Sequence, residues 1–137
     1  MYIKKLHPIW FFIAALFIFR LFTLSVYPLI DTTEARYGEI ARIMLETNNW
    51  VTPQFDYNVP FWGKPPLHTW VSASFASILG VSEFTLRLPH LLVGLITLFL
   101  VGVFARRFNL SVVLSCLVLT TRLGFFAAIG MIMTDAL

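Results

Sequence analysis

Two carboxylates and one lysine are the side chains whose types and positions could do chemistry in this sequence. Asp31 follows the first long apolar run, Asp135 follows the last, and Lys64 lies in the polar region between them. A carboxylate can act as general base, a second acid can handle a metal or a proton, and an ammonium can neutralise a phosphate. Two alternatives stay open: Asp135 caps a following helix, and Lys64 is a solvated interfacial charge.

The polar region at 31–66 must position these groups, and it contains five of the seven acidic residues. Residues 31–49 predict an amphipathic helix along a membrane surface, because apolar side chains recur at three- and four-residue spacing. Asp31 and Glu34 have the spacing of a capping box, so both acids have a structural interpretation as well. Arg42 and Glu46 stand four residues apart and are expected to pair.

The composition predicts an integral membrane protein. Hydrophobic residues make up 58% of the chain and charged residues only 12%, against about a quarter charged in soluble proteins. The single cysteine, Cys116, excludes an intrachain disulfide. No solvated face with clustered basic residues is visible, so the sequence excludes a nucleic-acid partner.

Three apolar runs are long enough to span a bilayer, at residues 9–30, 84–105 and 110–132. The first is too long for a signal peptide and is expected to be retained. Arg20 lies near its middle, where a charge is costly unless it faces the protein interior. A structural pairing and a position near a substrate phosphate are both open for Arg20.

The segment Leu67–Leu79 follows a Pro65-Pro66 pair, which predicts a helix start. It is short for a span. If it does not span, Lys4, Lys5 and the Arg106-Arg107 pair all lie on the cytoplasmic side, as the positive-inside rule requires. We therefore predict a single membrane domain over 1–137, with a cytoplasmic N-terminus, three spans and an outer loop at 31–83. The outer loop contains two juxtamembrane helices and an extended, aromatic-rich loop at 51–61.

Several motifs in this loop and beyond it resemble the bacterial polyprenyl-phosphate-sugar glycosyltransferases of the dolichyl-phosphate-mannose–protein mannosyltransferase superfamily. The likeness is greatest to the aminoarabinose transferases that modify lipid A. The matching residues are Glu34-Ala35-Arg36-Tyr37, Glu39-Ile40-Ala41-Arg42, Trp50-Val51-Thr52-Pro53, Lys64-Pro65-Pro66-Leu67 with Trp70, Glu83-Phe84, Arg87-Leu88-Pro89 and Thr134-Asp135-Ala136. They cover nearly the whole chain in the expected order.

The resemblance implies a GT-C-like, all-α membrane bundle and transfer of a sugar from a lipid-phosphate carrier to an extracytoplasmic acceptor. The acceptor would be lipid A, another glycan or a protein, and the location the bacterial inner membrane. Asp31 would be the base, Asp135 a second acid, and Lys64 with Arg36 would meet the donor phosphate. A divalent metal is left open.

Two positions depart from the family pattern. Anchored on Arg36-Tyr37, the family's aspartate falls at Thr33, so either Asp31 reaches the site or Glu34 takes its role. A glutamate that commonly precedes the Lys-Pro and helps to hold a metal is replaced by Gly63.

The length of the chain leads to a further expectation. Members of the superfamily have several hundred residues, so this chain of 137 residues is expected to be an N-terminal portion that is inactive alone. The competing interpretation is a non-catalytic membrane bundle or assembly partner whose charges only anchor it.

Overall fold

The computed structural model describes residues 8–29 and 32–132. The elements follow in the order α1 Pro8–Thr23, α2 Thr32–Thr47, β1 Gln54–Asp56, β2 Val59–Pro60, α3 Leu67–Leu79, α4 Glu83–Arg107, α5 Val112–Thr120 and α6 Leu123–Ala128. The predicted helical class is confirmed for the described ranges, apart from one small hairpin.

The helices of the polar region form as the sequence predicts. Helix α2 covers most of the predicted 31–49, and its apolar side chains Tyr37, Ile40, Ala41 and Met44 are buried. Helix α3 has the predicted bounds, because Pro66 precedes it and Gly80, at φ 86°, ends it. These two helices pack with the start of α4 around one apolar core that also contains Ile132.

A second apolar core lies between α1, α4 and α5. It is formed by Ile13, Phe17, Leu24, Leu91, Cys116 and Ile129. Gly94 of α4 lies so close to Ile129 that a Cβ at position 94 would overlap its side chain. The two cores therefore meet along α4, with the segment after α6 reaching both.

The predicted loop at 51–61 is corrected to a two-stranded antiparallel hairpin. Strand β1 pairs with β2, and the turn between them contains Asn58 at φ 64°, a backbone conformation that asparagine tolerates better than most residues. The prolines at 53 and 60 suggested a loop, but proline is compatible with the edge of so short a ladder.

Among the described helices, α4 alone is long and apolar enough to cross a membrane, and α1 is a shorter apolar helix. Helix α1 ends at Thr23, well before the first apolar run ends at residue 30. The run at 110–132 is not one helix. It divides at Thr121 and Arg122, where Arg122 adopts extended backbone and Thr120 and Thr121 turn their hydroxyls onto carbonyls of α5. The three membrane crossings remain a prediction.

Candidate functional site

A buried ion pair joins α2 to α4 and includes Glu34, one of the predicted site residues. Arg87 Nε donates to Glu34 Oε1 at 2.8 Å, and its Nη2 donates to Glu34 Oε2 at 2.9 Å. Glu34 is 1% exposed and Arg87 is fully buried. A bidentate pair of this kind fixes orientation as well as distance. The sequence suggested that Glu34 completes a capping box, but here its carboxylate binds an arginine 53 residues away.

The remaining donors of Arg87 bind the chain between α1 and α2. Its Nη1 donates to the carbonyl oxygens of Leu24 at 2.8 Å and Tyr27 at 2.7 Å. Its Nη2 donates to the carbonyl oxygen of Pro28 at 3.1 Å. With the two bonds to Glu34, these use all five N–H groups of the guanidinium. Arg87 therefore fixes the backbone that leads to Asp31.

Glu34 also contacts the chain that follows α6. The backbone N–H of Ile132 donates to Glu34 Oε1 at 3.3 Å. Close packing supports the contact, since a Cβ at Gly38 would lie 2.5 Å from Leu29 Cδ1 and 3.7 Å from Ile132 Cδ1. The Glu34 carboxylate thus joins two segments of the chain that are 98 residues apart.

Arg20 makes a second connection to the segment after α6. Its Nε donates to the carbonyl oxygen of Ile129 at 2.6 Å and its Nη2 to that of Ala127 at 3.1 Å. Its Nη1 donates to the Tyr27 hydroxyl at 3.1 Å. Of the two interpretations left open for Arg20, these contacts favour the structural one. Its side chain is nearly buried and satisfied by protein oxygens, which is how an arginine within an apolar helix is tolerated.

Tyr27 connects the two arginines. Its hydroxyl accepts from Arg20, its carbonyl accepts from Arg87, and the Arg87 guanidinium lies 4.1 Å from the centre of its ring. We call the four residues Arg20, Tyr27, Glu34 and Arg87 the arginine clamp. The clamp joins the connection between α1 and α2 to residues 127–132, which are the stretches that lead to Asp31 and Asp135. Both of those aspartates lie outside the described residues.

The two predicted phosphate-binding cations lie at the surface. Lys64 is exposed in the loop before α3, and Arg36 is exposed on α2 with its guanidinium 5.6 Å from the ring centre of Phe55. Neither contributes to the clamp. Their accessibility is compatible with binding an anion from outside the protein.

A buried polar cluster lies between α3 and α4. Ser72 Oγ donates to the carbonyl oxygen of Leu86 at 3.1 Å and lies 3.0 Å from His90 Nε2. Within the described ranges, His90 Nδ1 has no hydrogen-bond partner. The ring of His68 contacts that of Tyr37 edge-on, with the ring centres 4.4 Å apart. Burial lowers the pKa of His68, the nearby charge of Lys64 lowers it further, and a hydrogen bond to the Pro65 carbonyl opposes both.

The described residues do not form a metal site by themselves. Among residues 8–29 and 32–132, no group of three histidine, cysteine, aspartate or glutamate side chains could hold a metal ion. The buried Glu34 has both oxygens engaged by Arg87, and Gly63 brings no ligand next to Lys64.

Sequence reasoning missed the clamp as a unit. It singled out Arg20 and Glu34 but assigned Arg87 no role. One signal was present, because Arg87 lies only three residues inside the apolar run at 84–105, where an ionisable residue normally has a protein partner. The identity of that partner could not be read from spacing.

The comparisons with known proteins agree with the motifs. The profile of the family described as "Dolichyl-phosphate-mannose-protein mannosyltransferase" matches residues 9–137. A Shewanella sediminis protein named undecaprenyl phosphate-alpha-4-amino-4-deoxy-L-arabinose arabinosyl transferase is 33% identical over 117 residues, which are 80% of this chain and 21% of that protein. A Pseudomonas fluorescens protein of the same name, numbered 1, is 33% identical over 95 residues, 69% of this chain and 16% of its own.

An uncharacterized protein of Aquifex aeolicus is also 33% identical, over 97 residues that make up 69% of this chain and 19% of that protein. The chain therefore spans about a fifth of the length of the curated relatives it matches. No solved structure matches.

Proposed function

This chain belongs to the dolichyl-phosphate-mannose–protein mannosyltransferase family, and we propose that it supplies catalytic residues of a membrane glycosyltransferase. The enzyme moves a sugar from a polyprenyl-phosphate carrier to an acceptor on the extracytoplasmic side. The carrier follows from the relatives, whose names specify an undecaprenyl phosphate-linked aminoarabinose donor. The acceptor class that we propose is lipid A, another glycan or a protein.

The contact of Glu34 with both Arg87 and Ile132 is the observation that carries this proposal. Asp31 lies three residues before Glu34, and Asp135 lies three residues after Ile132. Three residues of chain extend at most about 11 Å. The clamp therefore supports a common site for two carboxylates that are far apart in sequence.

In the proposed reaction the acceptor hydroxyl attacks the anomeric carbon of the donor sugar. A new carbon–oxygen bond forms, the bond from that carbon to the phosphate oxygen breaks, and Asp31 takes the hydroxyl proton. The electron pair of the broken bond leaves on the polyprenyl phosphate. Asp135 orients the acceptor, and it is also the residue we would assign to a divalent metal if one binds.

Lys64 and Arg36 are proposed to neutralise the departing phosphate. Both are exposed cations of the predicted outer loop, and a positive charge placed where negative charge develops stabilises the transition state. In this proposal Lys64→Ala lowers activity far more than folding, and Lys64→Arg retains part of the activity because the charge survives and the shape does not. Equal activity of Lys64→Ala and the parent would leave Lys64 as an interfacial charge.

Glu34 is proposed to position the site and not to act as its base. Its carboxylate is buried against a guanidinium, so an acceptor hydroxyl cannot reach it without breaking the ion pair. We therefore propose Asp31 for the proton transfer and a structural role for Glu34.

The placement in the membrane is part of the proposal. We propose an inner-membrane, multi-pass arrangement in which Arg106 and Arg107 lie on the cytoplasmic side with the N-terminus. A cysteine introduced by Asn109→Cys, in a Cys116→Ser background, is then protected in intact cells from an impermeant thiol reagent. The matched variant Asn58→Cys, at the hairpin turn, is labelled. The reverse pattern would overturn the orientation.

The decisive test is Asp31→Asn in the full-length gene product, assayed with an undecaprenyl phosphate-linked sugar donor. Asparagine caps a helix about as well as aspartate but cannot accept the proton, so we expect the rate to fall about 10²–10⁴-fold at unchanged protein level. Asp56→Asn is the matched control, because Asp56 is an exposed aspartate of the hairpin.

Glu34→Gln separates the two roles. It is expected to lower the amount of folded protein, since it leaves Arg87 without its counter-charge. An active Asp31→Asn variant together with a folded but inactive Glu34→Gln variant would show that Glu34 carries the chemistry. Full activity of both variants would exclude Asp31 and Glu34 as the base. Absence of transfer by the parent protein itself would favour the non-catalytic membrane bundle.

A further inference from the structure

The hairpin of β1 and β2 exposes apolar side chains that its own fold does not cover. Trp62 is 80% exposed, and Phe55, Tyr57 and Val59 are each exposed by about half. Isolated exposed apolar residues are ordinary, but four within residues 55–62 are a candidate binding surface. The backbone of the hairpin is paired between its strands.

The hairpin is held firmly against the helices. The N–H of Phe61 donates to the Pro53 carbonyl at 2.8 Å and closes the loop at its base. The Tyr57 hydroxyl donates to Glu46 near the end of α2, while Phe55 lies under Arg36 near its start. The hairpin therefore runs along α2.

Helix α2 in turn contacts the beginning of α4. Its residues Glu34 and Gly38 both face the first turns of α4, at Arg87 and Leu86. At about 1.5 Å per residue, the 25 residues of α4 measure about 37 Å, more than the roughly 30 Å of bilayer hydrocarbon. The first turns of α4 then fall at headgroup level. Phe55 of the hairpin lies at the same level, because its partner Arg36 is between Glu34 and Gly38 on α2.

We propose that this hairpin inserts its exposed rings into the lipid bilayer at the boundary between headgroups and acyl chains. Tryptophan and tyrosine favour this depth, because their rings are apolar and their tips are polar. The occupant is lipid of the leaflet in which α4 begins. Residues 50–67 contain one acid, Asp56, and one base, Lys64, so the formal charge is zero and zwitterionic lipid is sufficient.

The insertion also sets the depth of Lys64, a step that rests on the proposed function. Phe61 folds back on Gly63, where a Cβ would lie 2.7 Å from its ring, and the same ring meets Tyr37 edge-on at 6.1 Å. The chain from Trp62 to Lys64 is thereby held between the core and the membrane surface. A lysine two residues from an interfacial tryptophan lies at the level of lipid phosphates.

The test measures depth with a nitroxide label in the full-length protein, reconstituted in dioleoylphosphatidylcholine vesicles. In a Cys116→Ser background, one label is introduced by Val59→Cys in the hairpin. The controls are Leu100→Cys in the exposed apolar second half of α4 and Asn109→Cys in the turn beyond it. Relaxation by oxygen, which concentrates in lipid, is compared with relaxation by a water-soluble nickel complex.

Relaxation of the hairpin label by oxygen is expected to be intermediate. It should be stronger than that of the Asn109→Cys label and weaker than that of the Leu100→Cys label. Trp62→Ala should raise the accessibility of the hairpin label to the nickel complex. Because Trp62 is exposed, the substitution should not prevent folding. A label as accessible to nickel as Asn109→Cys, or shielded from both reagents by protein, would overturn the membrane contact.

Activity tests the Lys64 step separately. Trp62→Ala should raise the KM for the lipid-linked donor several-fold and leave kcat nearly unchanged, since the base is untouched. An unchanged KM would overturn the depth-setting role of the hairpin even where the depth measurement agrees. Loss of activity in Asp31→Asn is independent of both results, so failure here is distinct from failure of the proposed function.

Discussion

Helix α2 has two ion-pair networks, and they differ in burial. Near its start, Glu34 pairs with Arg87, and the two side chains are 2% and 0% exposed. Further along, Arg42 pairs with Glu39 and Glu46 on the solvent side, where the three side chains are 34%, 47% and 45% exposed. The first pair joins residues 53 apart, and the second network stays within one helix.

The comparison shows that the number of charges does not decide what a network contributes. An exposed pair gains little, because water screens the attraction and holding two long side chains costs entropy. A buried pair adds little when whole but costs a great deal when one partner is removed, because an unpaired charge is left without water. The clamp is therefore a device for fixing segments in place, and the Arg42 network is a local support for one helix.

Arg87→Met should have the largest effect. It leaves the Glu34 carboxylate buried without a counter-charge and frees three carbonyl oxygens between α1 and α2. A loss of about 3–5 kcal/mol in the free energy of unfolding is expected, measured by denaturation in detergent micelles. Arg107→Met, an exposed arginine at the end of the same helix, is the control. Equal losses in both variants would contradict the comparison.

A double substitution sharpens the same point. Adding Glu34→Gln to Arg87→Met removes the stranded charge, so the double variant should be more stable than the sum of the single losses predicts. A coupling of about 0.5–3 kcal/mol is typical of residues in direct contact. The measurement is a double-mutant cycle of unfolding free energies. Additive losses would show that the pair does not act as a unit.

Arg20→Lys should have an intermediate effect. The charge remains, but a single ammonium cannot reproduce the fork that reaches Ile129, Ala127 and the Tyr27 hydroxyl. About 1–3 kcal/mol of stability should be lost, since buried carbonyls lose their donors. Arg122→Lys, at an exposed position before α6, should change almost nothing. The two variants are compared by thermal unfolding in micelles, and similar melting temperatures would count against the clamp.

Arg42→Met should have the smallest effect and should depend on pH. The hydrogen bond from Arg42 lowers the pKa of Glu39, and that from the Tyr57 hydroxyl lowers the pKa of Glu46. A depressed carboxyl pKa stabilises the fold above the ordinary pKa of the group, and this is lost as pH falls through the folded value. The small difference between Arg42→Met and the parent should therefore be present at pH 7 and vanish in acid. A difference that grows in acid would contradict it.

The sequence predicts the local features of this fold and misses the distant ones. The bounds of α3 follow from Pro65-Pro66 and Gly80, the buried face of α2 from its periodicity, and α4 from its apolar length. These are properties of neighbouring residues. The Arg42–Glu46 pair was found for the same reason.

Other features depend on contacts across the chain. The partner of Glu34 is 53 residues away, so local spacing favoured a helix cap instead. The break near Arg122 falls inside an apolar run whose composition suits a continuous helix. The hairpin is too short for strand periodicity to show. Asp31, Asp135, Lys64 and Arg36 were selected by type, position and resemblance, and their roles stay predictions.

The long reach of Arg20 has a consequence for biosynthesis. Its two carbonyl partners are 107 and 109 residues further along the chain, and a chain is synthesised from its N-terminus. During most of translation, α1 must therefore hold a cation whose final oxygen ligands have not yet been made. Lipid headgroups, water or the insertion machinery have to solvate Arg20 in the meantime, and docking of residues 127–132 ends that dependence.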